Sequence, residues 1–433
     1  MGESGKSKSR WRYLWVPLVL VVALKLGDAA FVSGSAAATR LPPIPTGSHW
    51  VATWGASPQP ATASNLSHAG FRGQTIRELV LTSAGGVRLR VRFSNAFGTT
   101  PLRIGRAEVG IQRRGANVVA ATQAPVLFGG RRSVVIAPGG EVQSDPVALA
   151  AGPATHLAVS VFLPGPTGPA TQHADAMQLN YVAAGSHVAA AGAGAFRKHT
   201  YSWYFLDGVD ALAPRRVEGT LVALGDSITD GVGTKANADA RWPNDLARRL
   251  NARRGATLAV VDEGIGGNRV LNPAACCGPS AIARFESDVR DQPGARDVIL
   301  LEGINDIGYS LSHSALTAPH TDVSAAQIIA GYERIIALAH AAGLRIFGAT
   351  LTPFEGSRHW TPAGEAKREA VNEWIQTSGA FDGVMNFAAA VADPQDPERL
   401  NPAFDSGDHL HPNAAGYRAM AAAIDVAALL KSG

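Results

Sequence analysis

A chain of 433 residues, 46% of them hydrophobic and 17% charged, can bury a large core and carries too little charge for long disordered tails. The formal net charge is +4, but residues 1–38 hold five basic and two acidic residues, which leaves +1 for the remainder. The charge therefore gives no ground for a nucleic-acid partner.

Lys6, Lys8, Arg10 and Arg12 precede an apolar run at 13–24, and a small-residue stretch with an Ala-x-Ala pattern follows at 33–38. A basic region, a short apolar core and small residues predict a secretory signal peptide over 1–38, cleaved after Ala38. The run of 12 residues is shorter than the roughly 20 that span a bilayer, and Lys25 and Asp28 follow it. The expectation is export to the periplasm or beyond, with no stable membrane anchor after cleavage. Residues 39–48 are Pro-rich and read as a linker.

Residues 49–210 read as a β-rich accessory domain. Val87, Leu89, Val91 and Phe93 alternate with Arg88, Arg90 and Arg92, and Leu157, Val159, Val161 and Leu163 repeat the period of two. Gly85-Gly86, Gly129-Gly130 and Pro138-Gly139-Gly140 break the runs. Many short strands between turn residues predict an all-β sandwich or jelly roll. Trp50 and Trp54, at i and i+4, fall on one face of a regular strand. They read first as core and second as sugar-stacking residues. The small-residue stretch 189–195 reads as a linker, and 201–206 as a strand returning to the β region.

Residues 211–433 change period. Strands are predicted at 221–224, 258–262, 298–301, 345–350 and 383–387, with helices at 242–254, 280–290, 325–342, 362–377 and 412–430. Strand–helix alternation implies a parallel sheet covered by helices on both faces. Each of the first three strands runs into a polar turn: Asp226-Ser227, then Glu263-Gly264-Ile265-Gly266-Gly267-Asn268, then Glu302-Gly303-Ile304-Asn305-Asp306. Carboxyl ends of parallel strands share one edge of the sheet, so segments distant in sequence converge there.

A nucleophilic serine needs a base and a carboxylate that holds the base. Ser227 is the candidate nucleophile. Asp408 and His411, three residues apart before the last helix, can lie on one side of a turn. One imidazole nitrogen then takes the carboxylate and the other faces Ser227. His409 competes but sits next to Asp408 and would point elsewhere. The backbone N–H groups of Ser227 and Gly267 and the side-chain amide of Asn305 are candidate oxyanion donors. No Gly-x-Ser-x-Gly and no His-Glu-x-x-His occurs, and no metal or organic cofactor is implied. Cys276 and Cys277 are the only cysteines; they could form a vicinal disulfide, stay free or bridge two chains.

The four blocks resemble those of the SGNH hydrolases, also called the GDSL esterase/lipase family. Gly225-Asp226-Ser227-Ile228-Thr229-Asp230-Gly231 is similar to the first block, with Ser227 as nucleophile. Gly264 to Asn268 is similar to the second, with Gly267 as oxyanion donor, and Gly303 to Asp306 to the third, with Asn305 as the other donor. Asp408 to His411 is similar to the last, completing a triad. Gly266 stands where the family often has serine, which would loosen the turn. The resemblance covers 219–430 and implies a three-layer α/β/α, flavodoxin-like fold and ester hydrolysis through an acyl-enzyme. The β-rich region ahead of it resembles secreted members grouped with carbohydrate esterases and arylesterases. Acetylated carbohydrate, short-chain lipid and aryl esters all fit as substrate, and a polysaccharide could carry the ester. A glycan-binding protein with a vestigial hydrolase half is the alternative from another class. Acyl transfer would use the same triad. Pocket walls are expected from 268–284 and 354–360.

Overall fold

The computed structural model describes residues 42–63 and 65–431; the expected signal peptide and the first residues of the linker lie outside them. The period-two runs form strands. His49–Gly55, Leu206–Ala213, Leu89–Ser94 and Glu141–Gln143 make a four-stranded antiparallel sheet in that order. Gln74–Leu81 and His156–Leu163 pair at the centre of a second antiparallel sheet, between Asn180–Ala184 and Arg106–Arg114. Alternate residues point inward, so Val91 and Val209 of one sheet meet Ile76 and Val159 of the other in a shared core.

Two readings of this half are corrected. The register of His49–Gly55 slips between Ala52 and Trp54, and the extra residue of this bulge reverses the alternation. Trp50 and Trp54 therefore lie on opposite faces. Trp54 is buried with its ring edge-on to Trp203 at 4.9 Å, whereas the Arg90 guanidinium covers the Trp50 ring at 4.1 Å. The 189–195 stretch is packed against the sheet instead of forming a free linker. Val118 N–H donates to Ala191 O (2.8 Å), and the buried Arg77 donates to Ala190 O (2.7 Å) while lying over the Phe196 ring.

The second half is a five-stranded parallel sheet in the spatial order Thr257–Gly264, Val217–Gly225, Ala295–Leu301, Arg345–Ala349, Gly383–Met385. Counting from Val217–Gly225, this is the 2-1-3-4-5 order of doubly wound flavodoxin-like sheets, with a switch point beside the first strand. Gly225 pairs with Gly264 on one side and Leu301 on the other, so three polar turns leave the sheet at one level.

Most predicted helices form. Pro362–Thr377 spans the predicted limits, with Thr361 capping Gly364 N–H, and Ser324 and Gln327 form a capping box on Ala325–Ala341. The closing helix differs from the expectation. It is split into Ala414–Ala423 and Val426–Leu429, because the Asp425 side chain accepts from Ala427 and Ala428 N–H and starts a new turn.

The β-rich half is joined to the sheet by buried polar contacts. Ala52 N–H reaches Pro293 O (2.8 Å), Ser57 Oγ donates to Glu263 Oε2 (2.8 Å), and Arg92 Nη2 donates to Gln292 Oε1 (2.7 Å). The described residues from 42 to 431 form one compact unit.

Candidate active site

The first strand ends at Gly225, and Asp226 caps the one-turn helix Ser227–Asp230 by accepting from Ile228 N–H at 2.9 Å. Ser227 thus opens a helix at the carboxyl edge of the sheet. Its Oγ lies 2.8 Å from His411 Nε2, and His411 Nδ1 lies 2.6 Å from Asp408 Oδ2. Asp408 Oδ1 accepts from the backbone N–H of His411 (2.9 Å) and Leu410 (3.0 Å), which fixes the carboxylate that fixes the ring. Burial raises the Asp408 pKa, but the hydrogen bonds and charge of His411 outweigh it and hold this carboxyl well below the usual range. His409 has φ +60° and turns to Asp405, with Nδ1 2.6 Å from Oδ2.

The second turn is closed by Asn268 N–H to Ile265 O at 3.0 Å, so Gly266 does not open it. Gly267 has φ +78°, and a Cβ there would lie 2.3 Å from Tyr309 Oη and 2.7 Å from Cys277 Sγ. Glycine is required on both counts. Neither Ser227 N–H nor Gly267 N–H has an acceptor among the described residues. Asn305 spends one amide hydrogen on Asn268 O (2.9 Å) and keeps the other. Three donors are thereby left for a developing negative charge.

Sequence reasoning missed what holds these turns together. Arg284, almost fully buried, donates to Gly225 O (2.8 Å), Glu263 O (2.7 Å) and Asn268 Oδ1 (3.0 Å), and pairs with Asp288 at 2.9 Å. A lone arginine on a helix whose neighbours Ala281 and Phe285 face the core was the available signal. Asp306, read from sequence only as part of the third polar turn, accepts from Val270 (2.7 Å) and Leu271 (3.1 Å) N–H and so anchors the chain after the second turn.

Burial pushes Asp306 up to about 6 against those two bonds. Burial likewise raises Asp226 to about 7, with the Ile228 bond and the charges of His411 and Arg284 opposing and Asp306 reinforcing. Tyr309 beside Gly267 is pushed up to about 12, first by burial and then by the charge of Asp226.

Cys276 and Cys277 are joined by a disulfide, S–S 1.97 Å. Of the expected walls, Cys277 stands at Gly267, and His359 packs on Tyr309 with ring centroids 6.1 Å apart. Phe354 is fully buried in the core, so it lines no open pocket. Elsewhere, Glu365, Glu369 and Glu398 bring carboxylate oxygens within 4.8 Å of one another, but Arg368 already pairs with Glu365.

A serine, an imidazole and a carboxylate thus stand in hydrogen-bonded series at the carboxyl edge of the parallel sheet. Residues 223–419 match the GDSL-like lipase/acylhydrolase family. The chain is also similar to three solved structures. A GDSL-like lipase from Bacteroides thetaiotaomicron VPI-5482 is 19% identical over 49% of this chain and 88% of its own, with a TM-score of 0.36. A carbohydrate acetylesterase family member from Sinorhizobium meliloti is 16% identical over 47% and 94%, TM-score 0.37. The aryl esterase of M. smegmatis is 16% identical over 47% and 95%, TM-score 0.37. No curated protein matches.

Proposed function

We propose that the chain is an exported serine esterase that cleaves carboxylic esters through an acyl-enzyme. The observation that carries this reading is the series Ser227 Oγ, His411 Nε2, His411 Nδ1, Asp408 Oδ2, with separations of 2.8 and 2.6 Å at its two hydrogen bonds. His411 takes the Ser227 proton as Oγ attacks the ester carbonyl. Asp408 holds the ring and stabilises the imidazolium. The carbonyl oxygen, now negative, lies among Ser227 N–H, Gly267 N–H and Asn305 Nδ2. As the tetrahedral adduct collapses, His411 gives the proton to the departing alkoxide, leaving acyl-Ser227. Water then repeats the sequence, with His411 as base, and releases the acid.

Export is supported by the basic–apolar–small pattern of residues 1–38. Among the described residues, no helix is long and apolar enough to cross a membrane. The glycan-binding alternative loses its main support, because Trp54 is buried against Trp203 and Arg90 covers Trp50. The test is Ser227→Ala on a panel of p-nitrophenyl esters. Loss of turnover in a folded variant is expected, and unchanged turnover rejects the assignment. Chain-length preference on the panel and acetate release from acetylated xylan then sort short-chain, aryl and carbohydrate esters.

A further inference from the structure

The β-rich half sends one loop towards the catalytic turn. It follows the short strand Gln172–His173, and its backbone is tied down on both sides. His173 is buried, with Nδ1 3.0 Å from Ser57 O and Nε2 3.2 Å from Asp230 Oδ1 on the helix that begins at Ser227. Ala174 N–H donates to Gln59 Oε1 (2.8 Å), Ala176 N–H to Tyr201 O (2.9 Å), and Arg241 Nη2 to Ala176 O (2.5 Å). These contacts fix Asp175 between them.

The Asp175 side chain has no hydrogen bond and no ion pair with any described residue. It is exposed, yet Oδ2 lies 2.8 Å from where a Cβ on Gly266 would stand. Gly266 is the residue before the candidate oxyanion donor Gly267. A side chain at 266 would have to displace this carboxylate, so the glycine that departs from the family pattern makes room for it. Enough protein surrounds the group for desolvation to raise its pKa. Asp230 reinforces that rise, and the charges of His173, Arg241 and His411 oppose it. A carboxylate held in place beside a reaction centre, with its lone pairs unused, is an acceptor waiting for a donor.

We propose that Asp175 is a substrate-binding residue that the β-rich half contributes to the active site. It accepts a hydrogen bond from a hydroxyl group, or pairs by charge with an ammonium group, carried by the ester next to its scissile bond, and it disfavours esters with an anionic group there. This rests on the serine-esterase reading and deepens it: the β-rich half selects the ester, and hydroxylated or cationic esters are the preferred class.

Two matched series test it. The first holds the acyl group constant: the acetyl esters of ethanol, ethylene glycol, choline and glycolate. The second holds the alcohol constant: the ethyl esters of acetic acid, glycolic acid, betaine and malonic acid as the half-ester. kcat/KM is measured by acid release for the full chain and for Asp175→Asn and Asp175→Lys. In at least one series the hydroxylated or cationic ester is expected to exceed its plain ethyl acetate reference. Asp175→Asn is expected to cut that ratio by about tenfold. Asp175→Lys is expected to shift preference towards the anionic ester. A response of the glycol ester alone identifies a hydroxyl, and of the choline or betaine ester alone an ammonium. If neither variant folds, the unmodified enzyme still decides: preference for a cationic ester must weaken with added salt, and preference for a hydroxylated one must appear without it. Ratios that stay within twofold in both series while Ser227→Ala is inactive overturn the proposal alone. Activity that survives Ser227→Ala overturns the esterase reading beneath it.

Discussion

Arg284 Nη2 donates to the carbonyl of Gly225 at 2.8 Å, two residues ahead of Ser227, while the same guanidinium grips Glu263 O and the Asn268 side chain. One buried cation thus spans two of the three turns of the site. Its charge is met by Asp288 at 2.9 Å and Glu302 at 3.7 Å. Arg284→Met leaves these carboxylates unpaired in the interior, so a loss of about 3–5 kcal/mol is expected in urea unfolding. Turnover is expected to fall with it. Full stability in this variant would show that the cation is dispensable.

Asn305 offers a candidate side-chain donor, and substitution there removes it together with the bond to Asn268 O while leaving Ser227 in place. Asn305→Ala is expected to lower kcat by roughly 100- to 1,000-fold with a small change in KM. A rise in KM at constant kcat would instead mean that Asn305 binds the ground state.

Asp408 accepts three hydrogen bonds from His411 and Leu410 with its two oxygens. Asp408→Asn keeps the shape but offers a donor where His411 Nδ1–H needs an acceptor, which favours the wrong tautomer. A fall in kcat of about 10⁴-fold is expected, the size seen in the serine-protease template. Equal rates for the variant and the parent would exclude Asp408 from the proposed triad.

Stability should fall as pH rises from about 4 to about 7. Burial raises Asp226 to about 7 and Asp262 and Asp306 to about 6, so between their unfolded values and these the native state holds more protons than the unfolded chain. The slope of unfolding free energy against pH is then negative. His173 works in the same sense at higher pH. Burial lowers its pKa, but Asp230 outweighs burial and leaves it raised, so its contribution is lost above the ordinary histidine range. The urea midpoint is expected to drop across this window, with a shallower drop in Asp262→Asn. A midpoint that climbs towards pH 7 contradicts the assignment of these groups.

Cys276 and Cys277 are disulfide-bonded beside Gly267. Thiol titration of denatured, unreduced protein is expected to find no free thiol, and two after reduction. Two thiols before reduction would remove the bond.

The sequence by itself determined the parallel sheet, the β-rich half and the residues that meet at the site. Periodicity is local, and Gly267 and Asn305 lie in turns whose composition announces them. Only the tertiary structure decided what depends on the path of the backbone in space. A one-residue bulge put Trp50 and Trp54 on opposite faces, which no spacing rule detects. Asp425 broke the last helix by capping a new turn within an Ala-rich run. Arg284 reads as one more helical arginine until its buried acceptors are seen. Asp175 lies 50 residues before the first catalytic block in sequence, and only packing between the two halves brings it to Gly266. Local pattern fixes which residues are available at a sheet edge. Long-range packing fixes which of them carry unpaired atoms there, and those atoms set the chemistry of the site.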